Sequence, residues 1–538
     1  MNQQTHDHAP TVEVLGEELG EFFAPVSSDM IDRLIGEYQA MRRKIQETVD
    51  LVMGEGHQDA IGYCLEGNMP DMSRYGGKSL ERLLNPEGAY KALDADFWQR
   101  ALNLTDILEV MPAKRRNDWA EQIRRFDTPT FEESTVRATL ESLLAQRPAF
   151  FAERVDGVFR VLSGVHKTNK TVGFSKRMIV GCMLDDMQHP SSRMSNYLND
   201  LRAVVARFMH RDEPSHNTSY CDLYRLRERL GVWHSLDGNA LRVRLYKKGT
   251  CHIEVAPDIA WRLNRVLASL YPEAIPSEFR TQPAPGPKPK HFDLMTRPLP
   301  FAVLNALRDC RPHDDWTELT VCASDKHTCQ EVERVLESLG GVRTQTRRYA
   351  FDYNVREAID HVILSGVIPD QRSHQYYPTP EHIAEAAVAA AELAPGEEVL
   401  EPSAGQGHLA RLLPRERTTC VEVAALHCQV LRAQGFDVVE GDFLEWARSA
   451  PRFDKVVMNP PYQGGRHQAH LDAAAKLVAP GGRLVAILPA SVSSHPSRAL
   501  TDWEVEISTP YTGDFKGTSI SVVILTATKP AETARKAA

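Results

Sequence analysis

The sequence predicts a doubly wound α/β domain at the C-terminal end, preceded by a mainly helical region and a small α+β module. Three observations predict it. From Tyr376 onward short apolar runs alternate with helical segments, the pattern of parallel strands joined by crossover helices. Before residue 280 apolar residues recur mostly at helical spacing. Between these regions the stretch TQPAPGPKPKH, 281-291, reads as a linker, because repeated proline removes backbone donors and fixes an extended chain.

Taken in order, 1-26 is a polar tail and 27-280 the mainly helical region, where Met30, Leu34, Tyr38 and Met41, and later Ile259, Leu263 and Val266, mark apolar helix faces. A hairpin is expected within it, from the alternation in Leu241 to Leu245 and His252 to Val255 around Lys247-Lys248-Gly249. The module at 292-370 places Val332, Val335, Leu336 and Leu339 on one helix face. Gly340-Gly341 follows as a C-cap and Thr346 to Phe351 as a short strand. Within 371-529, five strand candidates are Glu398 to Leu400, Thr419 to Val423, Val438 to Glu440, Lys455 to Met458 and Arg483 to Leu488. Trp503 to Ile507 and Ser519 to Thr526 follow with only a loop between them and are expected to pair antiparallel, and 530-538 is a tail. No internal repeat is present.

The chain has 538 residues, a formal charge of −9 and nine cysteines. The length suits several domains. The cysteines form no CxxC pair, and Cys251-His252 has no partner pair at zinc-ligand spacing, so no metal site is expected. The start lacks a secretory pattern and no window approaches an apolar membrane span, so a cytoplasmic protein without membrane contact is expected. The acidic balance argues against broad electrostatic adhesion to nucleic acid, so contact is expected only at local patches, each of which equally suits a solvated face: Lys114-Arg115-Arg116 with Arg124-Arg125, Lys288 with Lys290, and Arg343 with Arg347-Arg348.

The chemistry is concentrated after the strand candidates. The first ends in Glu401-Pro402-Ser403-Ala404-Gly405-Gln406-Gly407, followed by His408 to Leu413, expected to be helical. Ala404, Gly405 and Gly407 let the backbone approach a ligand at the carboxyl end of a strand. The leading acid suits a cofactor bearing an ammonium and a sulfonium rather than a pyrophosphate. Glu422 ends the second strand candidate about 20 residues later, where a carboxylate can accept hydrogen bonds from two ribose hydroxyls. Asp442 follows the third and suits an adenine amino group, with Phe443 covering a ring face. Either acid equally suits a capping or exposed role.

Asn459-Pro460-Pro461-Tyr462 stands directly after the fourth strand candidate. An amino group on an sp2 carbon is a poor nucleophile because its lone pair is delocalised. Acceptors gripping its two hydrogens, the Asn459 side-chain oxygen and the Pro460 carbonyl, favour a pyramidal nitrogen. Pro460 and Pro461 lock the turn, and Tyr462 offers a face for base stacking worth roughly 1–3 kcal/mol.

On these motifs the segment from Tyr376 to Thr526 resembles a class I methyltransferase of the amino-methylating group, with the motif order of the gamma class of DNA adenine-N6 methyltransferases. The resemblance implies a Rossmann-like class I methyltransferase seven-stranded sheet, S-adenosyl-L-methionine as cofactor and adenine in DNA as target. It also implies that Tyr377-Pro378-Thr379-Pro380 supports the methionine end of the cofactor through Tyr377 and Thr379, and that Phe515 packs against the flipped base opposite Tyr462. An ordinary core role for Phe515 stays open. Val161 to Lys170 with Gly173 to Lys176 is similar to an uncharacterised domain found ahead of methyltransferases in phages and mobile elements, which implies an orphan modification enzyme of that kind. Leu339 through Gly366 resembles a small module that often precedes such enzymes, although Val342-Arg343 stands where that module usually carries a tryptophan.

Gamma-class enzymes commonly carry a target-recognition domain after the core, and here about a dozen residues follow the last strand candidate. Target reading is then expected from the N-terminal 370 residues, from a protein partner, or not at all. Two other readings remain: methylation of a protein glutamine or of ribosomal RNA, since both groups use related motifs, and a catalytically degenerate antirestriction binding protein. The Glu-Pro opening and Phe515 favour adenine in DNA, and occupied catalytic positions oppose the degenerate reading.

Overall fold

The computed structural model describes residues 28–54, 57–68, 84–164, 173–175, 177–284, 294–323, 325–494, 497–515 and 520–531. The expected N-terminal tail, most of the linker, Lys288, Lys290, the stretch from Val165 to Lys170 and most of the C-terminal tail lie outside them. The described residues divide into two compact units, one within Met1–Gly231 with Arg244–Ala284, the other within Val232–Val243 with Pro285–Ala538.

The first unit is mainly helical. Long helices include Ser28–Met53, Pro86–Asn103, Arg147–Gly164 and Ser192–Phe208. Leu34 and Tyr38 pack with Phe97, Trp98, Phe131 and Phe150, while Met30 and Met41, expected on the same apolar face, are exposed. That face is narrower than its periodicity implied. Lys247-Lys248-Gly249 makes a tight turn before the strand Cys251–Val255: Gly249 adopts φ 76° and its N–H donates to Tyr246 O at 2.9 Å.

Several buried charges in this unit are paired, because an uncompensated interior ion is costly. Asp200 accepts from Arg154 at 2.9 Å and Arg116 at 3.3 Å, Glu213 from Arg154 at 3.1 Å and Arg207 at 2.6 Å, and Asp222 from Arg202 at 2.7 Å. The first basic patch is largely neutralised by such pairing: Arg116 is committed to Asp200, Arg115 lies 3.5 Å from Glu153, and Arg124 and Arg125 both pair with Glu121.

In the second unit, strands Arg311–His313, Glu318–Thr320, Arg348–Ala350 and Val342–Gln345 form a small sheet in that spatial order. Helix Lys326–Ser338 buries Val332, Val335 and Leu336, with Leu339 beyond it, and Gly340 at φ 86° ends it. Arg348 pairs with Glu318, whereas Arg343 and Arg347 are exposed.

The chain then enters an eight-stranded sheet made of β1 (Val399–Pro402), β2 (Thr418–Glu422), β3 (Asp437–Glu440), β4 (Phe453–Met458), β5 (Val478–Pro489), β6 (Glu504–Ile507), β7 (Tyr511–Thr512) and β8 (Ser521–Thr528). Its order is β3-β2-β1-β4-β5-β8-β6, with the two-residue β7 also on β8. The first five strands run parallel, and β8 is antiparallel to β5, β6 and β7. The helices are α1 (Glu381–Ala390), α2 (Ala425–Ala433), α3 (Phe443–Trp446) and α4 (Arg466–Leu477).

Alternation along the strands explains why both faces are covered. Val456, Met458, Leu484 and Ala486 pack with Leu471 and Ala474 of α4, while Val457, Val485 and Ile487 pack with Ile383, Ala384 and Ala387 of α1. The domain is thus a Rossmann-like α/β layer structure whose seven main strands are extended by β7. One expectation is corrected: His408 to Leu413 is a series of turns ending in a 3-10 turn at Ala410–Leu412. Gly405 and Gly407 have positive φ, and Pro414 disfavours helical geometry before it, so too few residues remain for an α-helix.

Candidate active site

Beyond β1 the chain reverses through three residues with positive φ, Ser403 at 60°, Gly405 at 57° and Gly407 at 81°. Two of these positions need glycine for different reasons. A Cβ on Gly405 would lie 2.7 Å from the Tyr376 ring, and one on Gly407 would lie 2.8 Å from Gln434 Oε1 and 2.9 Å from Leu431 Cδ2. Gly405 therefore admits the aromatic ring of the upstream segment, and Gly407 packs the turn against α2 and its C-terminal end.

At the carboxyl ends of the parallel strands lies a cavity of about 580 Å³, the position where open α/β sheets take ligands. Its wall includes Tyr377, Thr379, Glu401, Ala404, Gly405, Glu422, Asp442, Phe443, Asn459, Pro460, Pro461, Tyr462 and Phe515. Of the residues singled out from the sequence, Pro402 and Gly407 are not on the wall. Pro402 ends β1 in the sheet and Gly407 serves packing.

Glu422 is buried, and each of its oxygens accepts a backbone hydrogen bond. Its Oε2 accepts from Gly405 N and its Oε1 from Ala424 N, both at 2.8 Å, and His427 Nδ1 stands 3.8 Å from Oε1. Burial pushes this carboxyl up, but the His427 ring and the two backbone donors outweigh it and hold it below its ordinary range. Glu401, also buried, behaves oppositely: burial raises it well above the usual carboxylate range, and the neighbouring Glu422 charge adds to that. Glu401 Oε2 is buried without a hydrogen-bond partner. Asp442 caps α3, its Oδ1 accepting from Leu444 N at 2.7 Å and Glu445 N at 3.3 Å. The capping role is thus filled by one oxygen, while the residue still borders the cavity.

At the end of β4, Asn459 Nδ2 donates to Thr379 Oγ1 at 3.0 Å, and the Tyr462 hydroxyl reaches Asn459 Oδ1 at 2.8 Å and Ile487 O at 3.2 Å. The Tyr462 ring packs into the apolar cluster that contains Phe515 and Val522, so it is turned inward more than a free stacking platform would be. Phe515 is buried in that cluster, as its core role requires, and also borders the cavity.

Sequence reasoning missed several wall residues: Tyr376, His374, His408, His427 and Gln375 among them. Tyr376 packs on His427 with ring centroids 4.5 Å apart, and its hydroxyl lies 3.4 Å from His408 Nδ1. Their only signal was position, beside the upstream segment and the glycine turn.

The strand order, the antiparallel β8 and the cavity over β1, β2 and β4 define the fold of the class I methyltransferases, whose cofactor is S-adenosyl-L-methionine. Residues 90–273 match the family described as "Domain of unknown function (DUF4942)". Over 82 residues the chain is 42% identical to "Probable ribosomal RNA small subunit methyltransferase A" of Methanosarcina mazei, covering 14% of this chain and 30% of that relative. The chain thus spans under a third of the length of that curated relative. Similar solved structures include Precorrin-6y C5,15-methyltransferase from Geobacter metallireducens (19% identity, TM-score 0.23, covering 28% of this chain and 88% of that one). Another is TrmN from Thermus thermophilus (14% identity, TM-score 0.25, covering 44% and 81%).

Proposed function

We propose that this chain transfers a methyl group from S-adenosyl-L-methionine to the N6 amino group of adenine in DNA, as an orphan modification enzyme of the phage or mobile-element type. The observation that carries the reading is the convergence of Asn459 to Tyr462, the glycine turn and Glu422 on one cavity. The donor set suits the cofactor. Glu401 brings a buried carboxyl oxygen without a partner, Gly405 leaves room for close approach, and Glu422 is held ionised for hydroxyl groups. The bound cofactor supplies an electrophilic methyl group.

The chain's own residues hold the acceptor. Asn459 Oδ1 and Pro460 O are the acceptors for the two amino hydrogens, and the two prolines keep them convergent. The Tyr462 hydroxyl uses one lone pair of Asn459 Oδ1 in the present arrangement, and the second is left for an incoming amino group. Tyr462 and Phe515, in one apolar cluster, are the planar surfaces for the extruded base, whose removal from a duplex costs a few kcal/mol. The domains 27-280 and 292-370, or a protein partner, supply target recognition.

A second reading, an adenine or other amino group in ribosomal RNA, is favoured by the 82-residue likeness to a ribosomal RNA methyltransferase. Methyl incorporation from labelled cofactor into matched duplex DNA, single-stranded DNA, ribosomal RNA and a glutamine-containing peptide tests both. The DNA reading expects label in the oligodeoxynucleotides, lost when adenine is replaced by an analogue without the amino group. Label in RNA or peptide alone overturns it.

A further inference from the structure

We propose that Thr379 is a positioning residue for Asn459, its hydroxyl fixing the side-chain amide against which an acceptor amino group is held. The proposal rests on the reading of Asn459 as the group that grips that amino group. Thr379 Oγ1 accepts from Asn459 Nδ2 at 3.0 Å, while the Tyr462 hydroxyl donates to Oδ1 at 2.8 Å. The amide is therefore held at both ends, and its oxygen stays on the Tyr462 side.

Thr379 is well placed to act as a fixed point. It is 7% exposed and sits between Pro378 and Pro380, two residues of restricted φ. Pro380 caps α1, whose Ile383, Ala384 and Ala387 are anchored in the core. A second tie fastens the same segment beyond the catalytic turn: Gln463 N donates to Gln375 Oε1 at 2.7 Å, and Gln375 Nε2 donates to Gln463 Oε1 at 2.5 Å. The 375–379 segment thus grips the 459–463 turn at both ends, and the hydroxyl expected from the sequence to meet the cofactor is used on Asn459. A side-chain amide released at one end samples several rotamers, and each one that misdirects Oδ1 withdraws an acceptor when the amino group needs it.

The test uses the full-length chain with selectively 15N-labelled asparagine. The Asn459 amide pair is assigned by its loss in Asn459→Asp and followed in the cofactor-free protein. Thr379→Val, of nearly equal volume, is expected to shift that pair and speed its exchange with water about tenfold, and Thr379→Ser to keep the wild-type values. In turnover, Thr379→Val is expected to lower kcat about tenfold or more with cofactor Kd changed less than about threefold, and Thr379→Ser to restore most of it. An unmoved amide pair in Thr379→Val overturns the proposal, as does a variant that loses cofactor affinity while keeping kcat. If the wild-type chain methylates no nucleic acid, the functional reading fails, and the amide exchange still decides whether Thr379 holds Asn459.

Discussion

The carboxylate of Glu422, at the end of β2, accepts a hydrogen bond from the N–H of Gly405, in the turn after β1, at 2.8 Å. The bond joins the two parallel strands at their carboxyl ends, where the cavity opens. Glu422 therefore shapes the glycine turn, and this structural role separates by substitution from the ligand role proposed for it. Glu422→Ala removes both backbone partners and is expected to destabilise the protein by on the order of 3 kcal/mol, since hydrogen bonds to charged groups are worth about 1.5–3 kcal/mol each. Glu422→Gln keeps one acceptor and is expected to melt closer to wild type while binding S-adenosyl-L-methionine about tenfold more weakly by calorimetric titration. Unchanged affinity in Glu422→Gln would count against the ribose role.

Asn459 and Tyr462 are expected to fail differently. On the proposed function Asn459→Ala removes an acceptor that matters most in the transition state, so methyl transfer should fall at least about a hundredfold with cofactor affinity nearly intact. On the same reading Tyr462→Ala removes a stacking face worth roughly 1–3 kcal/mol. It should lose more activity on duplex DNA than on an unpaired adenine, because only the duplex must release its base. Equal losses on the two substrates would remove the base-flipping role and leave the rest standing.

His408 predicts an acid-limb effect. Burial, with Arg411 and His427 nearby, lowers its pKa from 6.5 to about 4. The folded chain keeps the ring neutral while the unfolded chain protonates it below about pH 6.5, so this contribution is present above pH 6.5 and is lost as pH falls through about 4. The full effect is on the order of 3 kcal/mol. His408→Asn should therefore show a flatter decline in stability between those pH values when urea unfolding is followed. Parallel curves for variant and wild type would contradict the assignment.

In the helical unit, Asp200 receives both Arg154 and Arg116. Asp200→Ala leaves two arginines short of a partner, one of them almost fully buried, and should cost about 3–5 kcal/mol. Asp200→Asn, which can still accept hydrogen bonds, should cost less. Denaturant unfolding of the two variants checks the order.

The parts of this architecture set by short-range patterning were legible in the sequence. All five parallel strands start or end within a few residues of their apolar runs; inner strands such as β4, with Lys455 to Met458, are legible because cover on both faces demands a nearly continuous apolar run, whereas the edge strand β3 is marked only by Val438 and Val439. The turn motifs were legible because glycine and proline constrain the backbone locally. What was not legible depends on contacts distant in sequence. Tyr376 is on the cavity wall because Gly405 admits its ring, the Tyr462 ring is drawn inward by the Phe515 cluster, and Met30 and Met41 are left outside the core by the width of the neighbouring helix packing. The strand Val342–Gln345 was missed because all four of its residues are exposed at a sheet edge, where no apolar alternation marks it.

The most direct test of the account is single-molecule sequencing of genomic DNA from a methylation-free host expressing the wild-type chain or Asn459→Ala. N6-methyladenine is expected in the first DNA and none above background in the second, with the surrounding bases reporting any target sequence. Unmodified adenine in the wild-type sample, with labelled methyl found in ribosomal RNA or protein of the same cells, would contradict it.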